Sequence, residues 1–152
     1  MTIEDEIAFL DSVPMLRRLG NGALRSLAIA AETYSMQAGE VLFTAGEAAD
    51  GAYIVAQGSV SLKPERGGEV VAGPGTLLGE AALLAETKRP ATATAREAVK
   101  VLRVSRSTFL KILDSYPDAA QRLRDLLASR TDQWTREMEN IRAALARGRR
   151  PI

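Results

Sequence analysis

The sequence contains neither cysteine nor histidine among its 152 residues. Without cysteine there are no disulfide bonds and no cysteine-ligated iron–sulfur clusters. The two absences together exclude Cys/His zinc sites and histidine-ligated haem. Catalytic triads of the Ser-His-Asp and Cys-His types are excluded for the same reason. Any chemistry must therefore come from carboxylates, Lys, Arg, Tyr, hydroxyl groups or backbone amides.

Long apolar runs are also missing, since none exceeds five residues. The first six residues, Met-Thr-Ile-Glu-Asp-Glu, include three acidic residues and no basic one, whereas a signal peptide begins with basic residues. The sequence therefore predicts neither a signal peptide nor a membrane-spanning helix. We expect a cytoplasmic protein without membrane contacts.

The chain also has no excess of charge of either sign: it has 20 basic and 19 acidic residues, a net charge of +1. A nucleic-acid-binding domain is expected to show a basic stripe or a high pI, so direct DNA binding is not expected. The basic tail at residues 147–150 is interpreted as a solvated terminus. Contact of this tail with phosphates or anionic lipid is the alternative.

Residues 1–35 are predicted to form an N-terminal helical segment. Apolar residues such as Ile7, Leu10, Leu24 and Leu27 recur there at helical spacing. Proline and glycine at 13–14 and 20–22 indicate turns, so two or three short helices are expected.

Residues 36–106 are predicted to form a β-roll. Nine glycines separate short β-prone runs, several of which alternate as strands with one buried face do. This pattern is typical of an all-β barrel or jelly roll. The Gly67-Gly68 pair indicates a hairpin tip, and the Ala/Leu-rich stretch after Gly79 indicates a single helical turn. The β-prone runs lie at residues 41–44, 52–56, 59–62, 70–71, 92–95 and 99–104.

Residues 107–152 are predicted to be helical. Ser105 or Ser107 is expected to cap a first helix, which ends at Tyr116 before a proline. A second helix over about residues 119–146 would reach roughly 40 Å, longer than the body of a small domain. Its apolar stripe beyond Arg130 is therefore expected to pack on a second chain in a homodimer, with packing on its own barrel as the alternative. The whole apolar stripe of this helix, of which the part beyond Arg130 is the last four residues, consists of Leu123, Leu126, Leu127, Trp134, Met138, Ile141 and Leu145.

One segment carries the groups that a small phosphorylated sugar needs. A turn at Gly79 leads into the short helix, and Arg89 follows ten residues later, before a strand. The first amides of the helix, from about Glu80 to Ala82, form a small anion site. An arginine folded back onto that site supplies a planar fork for a phosphate. The carboxylate of Glu80 is suited to accept from a sugar hydroxyl.

This segment resembles the phosphate-binding cassette of the cyclic nucleotide-binding domain family. The family includes the sensor domain of the catabolite activator protein, protein kinase A regulatory subunits and cyclic-nucleotide-gated channels. Its cassette is approximately Phe-Gly-Glu-Leu-Ala-Leu-Leu, four residues, then Arg-Ala/Ser/Thr-Ala-Thr. Residues 78–92 here are Leu-Gly-Glu-Ala-Ala-Leu-Leu, four residues, then Arg-Pro-Ala-Thr.

The resemblance extends over about residues 9–130, because 9–19 resemble the family's N-terminal helical segment and 39–47 and 50–60 its first strands and glycine turns. It implies an α+β fold: an eight-stranded β jelly roll (double-stranded β-helix) flanked by N-terminal helices and a long C-terminal helix. That helix would be the hinge and the lid or dimerisation helix.

The resemblance also implies residue roles. Glu80 would accept from the ribose 2′-hydroxyl, and Arg89 would pair with the cyclic phosphate. The other ligand-binding positions are Gly79, Ala81, Ala82, Pro90, Ala91 and Thr92. The C-terminal helix would close over the base, with Leu127, Arg130 or Trp134 as candidates for the lid, although Trp134 fits an interface or core position better.

Two positions depart from the family pattern. Pro90 stands where the family has a residue whose backbone N–H donates to the phosphate, and proline has no such donor. The loss is expected to cost about 1.5–3 kcal/mol, about one to two decades of affinity. The position also lacks the threonine hydroxyl associated with cGMP preference, so cAMP is the expected ligand rather than cGMP. Ala81 replaces a larger apolar residue, which is interpreted as a packing change.

Three interpretations of function stay open. The first is a cyclic-nucleotide sensor that repositions its C-terminal helix and signals to an unknown downstream protein. The second is a degenerate fold, spoiled by Pro90, that serves as a dimerisation or protein-interaction module. The third is a transcription regulator lacking its DNA-binding domain, since only residues 147–152 follow the long helix.

An enzyme, a metal ion or a cofactor is not expected, because nothing near Glu80 is arranged for acid–base catalysis. A structural ion pair between Glu80 and Arg89 is the alternative to ligand binding.

Overall fold

The structure, a computed structural model, describes residues 2–126 and 128. Three helices open the chain: α1 Ile3–Asp11, α2 Pro14–Arg17 and α3 Gly20–Ala30. Thr2 caps α1 in a capping box with Asp5, in which each side chain accepts from the other residue's backbone N–H. The prediction of two or three short helices is confirmed. The glycine stretch at 20–22, however, forms the first turn of α3 and not a separate loop.

Within the described residues ten strands follow, arranged as two antiparallel four-stranded sheets and one two-stranded ribbon. The first sheet has the order β1-β10-β4-β7, the second β2-β9-β5-β6, and the ribbon pairs β3 with β8. The predicted jelly roll is confirmed, with eight strands in the two sheets and two more in the ribbon. The strands are β1 Glu32–Met36, β2 Val41–Phe43, β3 Ala48–Ala49, β4 Gly51–Gln57, β5 Val60–Pro64, β6 Val70–Ala72, β7 Leu77–Leu78, β8 Thr87–Lys88, β9 Ala91–Ala95 and β10 Val99–Ser105.

The first sheet begins at Glu32, inside the segment that the sequence assigned to helix. Strand β1 pairs with β10, so that Tyr34 lies opposite Val101 and Met36 opposite Val99. Four of its five residues are exposed, which explains why its sequence lacks an apolar alternation. The β-structure therefore starts four residues before the predicted boundary at residue 36.

Two apolar cores lie on opposite sides of the first sheet. The inner core fills the space between the two sheets and consists of Phe43, Val55, Val60, Ala72, Leu78, Ala93, Ala95, Val99 and Val101. The outer core packs the helices against the sheet's other face, where Ile54 and Leu102 are buried with Leu10, Leu27 and Phe109. Successive side chains of β4 and β10 point alternately into the two cores, so one face of each strand lines the interior of the roll.

The C-terminal elements start directly after β10. Helix α4 spans Arg106–Ser115, and the Ser105 side chain accepts from the Thr108 N–H at 3.2 Å, so Ser105 is the cap. The chain turns at Tyr116 and is helical again over residues 117–126. The predicted continuation to residue 146 lies outside the described residues, apart from residue 128. Within the described part of the chain, no helix has the length and apolarity that crossing a membrane requires.

Candidate functional site

The predicted helical turn is a single turn of 3-10 helix over Glu80–Leu83. Gly79 precedes it with a φ of +82°, in the left-handed region that favours glycine. Ala82 and Leu83 are buried and anchor the turn, whereas Ala81 is exposed and Glu80 is half-buried. The turn therefore presents its first residues at the surface of the roll.

The backbone of Arg89 is fixed by the turn between β2 and β3. The Arg89 N–H donates to the Glu47 carbonyl, and the Arg89 carbonyl accepts from the Gly46 N–H, both at 2.8 Å. The side chain folds back onto the 3-10 turn, where its Nη1 atom fills the space that a Cβ on Gly79 would occupy. The structure thus brings Gly79 and Arg89 together across the ten residues that separate them.

The guanidinium group of Arg89 lies on two aromatic rings. Its Cζ is 4.4 Å from the centroid of the Phe43 ring and 5.5 Å from that of Tyr53. The two rings contact each other with centroids 5.9 Å apart. Ring faces stabilise a desolvated cation by about 0.5–2 kcal/mol each, so the aromatic pair forms a platform that holds the charge inside the roll.

Arg89 is nevertheless incompletely satisfied. Only 5% of the residue is exposed, and Nη1 has no hydrogen-bond partner among the described residues. Burial lowers the pKa of Arg89, and the negative charges of Asp50 and Glu47 oppose that shift from a distance. A buried cation with an unused donor is strongly attracted to an anion that can reach it. The arrangement therefore suits a phosphate.

The amide of Ala82 is used within the turn, because it donates to the Gly79 carbonyl at 3.0 Å. In this conformation the Ala82 amide therefore serves the turn, and its contact with a phosphate stays a prediction. A 3-10 helix bonds each amide three residues back, so a single turn leaves fewer free amides than the first turn of an α-helix.

The three residues after Arg89 differ in their surroundings. Pro90 is exposed, and Ala91 is buried as the first residue of β9. The Thr92 hydroxyl accepts from the Ala45 N–H at 2.9 Å. Thr92 therefore fastens β9 to the turn after β2, a structural role that its place in the cassette pattern did not indicate.

A second arginine, Arg103 on β10, lies beside the same platform. Its Nη2 bonds the Asp50 Oδ2 at 2.8 Å, and its Nη1 is 4.0 Å from the Glu32 Oε1. Burial disfavours the charge on Arg103, but the Asp50 carboxylate and the Tyr53 side chain together outweigh burial and raise the pKa of Arg103. Residue 103 also pairs with Tyr53 across the sheet.

Two cavities of about 380 Å³ each open beside these groups. Arg89, Pro90 and Arg66 line one, and Tyr53 and Arg103 line the other. Both volumes fall within the range of about 300–1,000 Å³ that is common for small-ligand sites.

The sequence did not single out Phe43, Tyr53 or Arg103 as site residues. The signal for the two aromatics is weak: each stands in a β-prone run, as many core aromatics do. The three lid candidates, Leu127, Arg130 and Trp134, lie outside the described residues.

Comparisons with known proteins agree with the cassette. The family model "Cyclic nucleotide-binding domain" matches residues 34–116. A cyclic nucleotide-gated potassium channel from Mesorhizobium japonicum is 32% identical over 110 residues, which cover 72% of this chain and 30% of the channel. The cyclic AMP receptor protein of Thermus thermophilus is 34% identical over 116 residues, covering 73% of this chain and 54% of the receptor.

A solved structure, a cyclic nucleotide-binding-like protein from Brucella abortus, superposes with a TM-score of 0.65 at 39% identity and covers 72% of this chain and 98% of its own. The chain spans about a third to a half of the length of the two curated relatives described above. The family match covers more than half of the sequence and includes the 3-10 turn and Arg89. This chain belongs to the cyclic nucleotide-binding domain family.

Proposed function

We propose that this chain is a regulatory domain that binds a cyclic nucleotide, with cAMP preferred over cGMP. The observation that carries the proposal is the buried guanidinium of Arg89, which packs on Gly79 and whose Nη1 has no partner within residues 2–126 and 128. Leaving a buried donor unpaired costs about 1–3 kcal/mol, more when it is charged. An anionic ligand would recover that free energy.

In this proposal the cyclic phosphate pairs with Arg89, and the Glu80 carboxylate accepts from the ribose 2′-hydroxyl. The exposed start of the 3-10 turn, at Ala81, lies toward the phosphate. Thr92 does not contact the nucleotide in this proposal, because its hydroxyl oxygen accepts from the Ala45 N–H. The preference for cAMP rests on Pro90, which provides neither the threonine hydroxyl associated with cGMP nor a backbone donor.

Binding would act by a population shift. A nucleotide that binds better to the arrangement with the C-terminal helix drawn over the base favours that arrangement in proportion to the difference in affinity. The signal would pass to an unknown downstream protein or to self-association of the chain as a homodimer. No catalytic step is part of this function.

Thermal unfolding with cAMP or cGMP tests the proposal. At a hundredfold excess over the Kd, a ligand adds about 2.7 kcal/mol of stability, which raises the Tm by several degrees. Arg89→Met should abolish the shift and keep the fold. Arg96→Met, which removes an exposed arginine, is the matched control. If about 1 mM nucleotide, the concentration at which even weak binding is detectable, gives no shift, the degenerate interaction module is the better interpretation.

The homodimer has its own test. Sedimentation of the full chain and of a chain ended after Arg130 should differ by a factor of two in mass if the C-terminal helix joins two copies. The same number of copies per particle in both chains would remove the dimer through the C-terminal helix from the proposal.

A further inference from the structure

The two rings of the aromatic platform come from different sheets. Phe43 is on β2 of the second sheet, and Tyr53 is on β4 of the first. Phe43 is 7% exposed and lies opposite Ala93 of β9, which is fully buried. Tyr53 lies opposite Leu78, the residue directly before Gly79. Strand pairing in both sheets therefore fixes the platform beside the start of the cassette.

The side chain of Arg89 lies on this platform without a hydrogen bond from Nη1. That atom has no partner among residues 2–126 and 128, although only 5% of the residue is exposed. The guanidinium Cζ is instead 4.4 Å from the centroid of the Phe43 ring and 5.5 Å from that of Tyr53, and Nη1 lies against Gly79. A glycine has no side chain that could attract an arginine, whereas ring faces attract a cation. The two rings therefore supply the attraction that keeps the guanidinium inside the roll.

We propose that Phe43 and Tyr53 are positioning residues for the anion site: their ring faces hold the Arg89 guanidinium where the phosphate would bind, before the phosphate arrives. The inference rests on the proposed function and adds two residues that the cassette does not contain. The ring of Phe43 contributes more than that of Tyr53, because it is closer to the cation.

The size of the effect follows from the freedom of an arginine side chain. A long side chain gains rotamer entropy when nothing holds it, and a guanidinium released from the platform turns toward water. The apparent affinity for a phosphate then falls by the fraction of molecules in which the guanidinium is still in place. If that fraction were about one in five without the Phe43 ring, the apparent Kd would rise about fivefold.

Calorimetric titration with cAMP compares the wild type with Phe43→Leu, Phe43→Tyr and Tyr53→Leu. Leucine keeps an apolar side chain and removes the ring face, whereas tyrosine at position 43 restores a ring. Phe9→Leu is the matched control, because it makes the same replacement on α1, where Phe9 packs against the outer core. Urea unfolding measures the stability of each variant, so that affinities are compared among folded proteins.

The expected result is a Kd about fivefold higher for Phe43→Leu and about threefold higher for Tyr53→Leu. Phe43→Tyr should regain most of the affinity, and Phe9→Leu should bind as the wild type does. An unchanged Kd in Phe43→Leu would overturn the inference. An equal rise in Phe9→Leu would overturn it as well, because looser packing and not the ring would then lower the affinity. If Phe43→Leu does not fold, Tyr53→Leu decides, and an unchanged Kd there would overturn the inference.

The proton NMR spectrum of the arginine side chains, recorded without ligand, keeps the inference separate from the proposed function. A ring face shields the protons above it, so the Arg89 Nε–H resonance, identified by its loss in Arg89→Met, should lie upfield of that of the exposed Arg96. It should move toward the Arg96 position in Phe43→Leu. Failure of the wild type to bind either nucleotide would refute the proposed function alone. An Arg89 resonance that is not shifted in the wild type, or that does not move in Phe43→Leu, would refute the positioning role.

Discussion

The guanidinium group of Arg89 lies directly against Gly79, in the space that any side chain at position 79 would fill. Gly79 and Arg89, ten positions apart, are thus matched in shape, because the missing side chain of one leaves room for the guanidinium of the other. Among the described contacts, Arg89 also supplies the only cation on the Phe43 ring. The glycine serves the cassette in two ways, since its φ of +82° also starts the 3-10 turn.

Gly79→Ala should therefore separate Arg89 from the turn. The left-handed backbone costs a non-glycine residue about 1–2 kcal/mol of stability, and the new methyl group forces the guanidinium away. We expect the melting shift with cAMP to disappear. Gly75→Ala is the control, because its φ is +88° and nothing lies within 4 Å of the added Cβ. Loss of the cAMP shift in both variants would mean that strain in the backbone, and not the place of Arg89, controls binding.

Pro90→Ala should increase nucleotide affinity. The substitution restores a backbone N–H beside Arg89, and a bond from that donor to a phosphate is worth about 1.5–3 kcal/mol, or one to two decades in Kd. Calorimetric titration with cAMP measures the gain, with Pro74→Ala, in an exposed turn, as the control. An unchanged Kd would show that the phosphate does not approach residue 90.

Thr92→Val should lower stability without changing nucleotide affinity. The Ala45 N–H loses its acceptor, and an unsatisfied donor in this half-buried position costs about 1–3 kcal/mol. Thr94→Val, on the same strand, should have a smaller effect. Urea unfolding and cAMP titration together check the prediction. A weaker Kd in Thr92→Val would mean that the hydroxyl contacts the ligand after all.

Arg106→Met should weaken the fold around the 3-10 turn. The Arg106 Nη1 lies within hydrogen-bond distance of three carbonyls, those of Ala49, Ala82 and Ala85, at 3.1, 3.3 and 3.1 Å, and one of its two hydrogens is shared between two of them. Hydrogen bonds from a charged donor contribute about 1.5–3 kcal/mol, so we expect a loss of that order in urea unfolding. Lys111→Met, an exposed residue of the same helix, should change little. Equal losses in the two variants would contradict a special role for Arg106.

The sequence predicted the parts of the fold that have strong local causes. Glycine turns marked the ends of the long strands. The Gly67-Gly68 tip joins β5 to β6 as expected, and the short helical turn follows Gly79. Strand β1 was missed because its residues are exposed and its pairing with β10 spans more than sixty residues. The ribbon strands have two residues each, too few for any periodicity to show.

The residues of the candidate site that lie within the cassette were predictable from the sequence, and those that other strands contribute were not. Glycine at 79 and arginine at 89 stand in one sequence pattern, so their meeting could be expected. The aromatic platform and the Arg103–Asp50 pair come from three other strands and a loop. The register of the first sheet pairs Tyr53 with Arg103, and Phe43 contacts Tyr53 from the second sheet. The use of the Ala82 amide depended on the turn being 3-10 and not α-helical, a difference that composition does not determine.

The two 2.8 Å backbone bonds that tie Arg89 to the turn at Gly46 and Glu47 have a consequence for ligand exchange. With the main chain tethered and the side chain already packed between a glycine and two rings, little freedom remains for a ligand to remove. Ordering a mobile arginine would cost about 0.5–1.5 kcal/mol on binding. Here most of that entropy is lost when the chain folds, so the proposed phosphate ligand would meet a preorganised receptor.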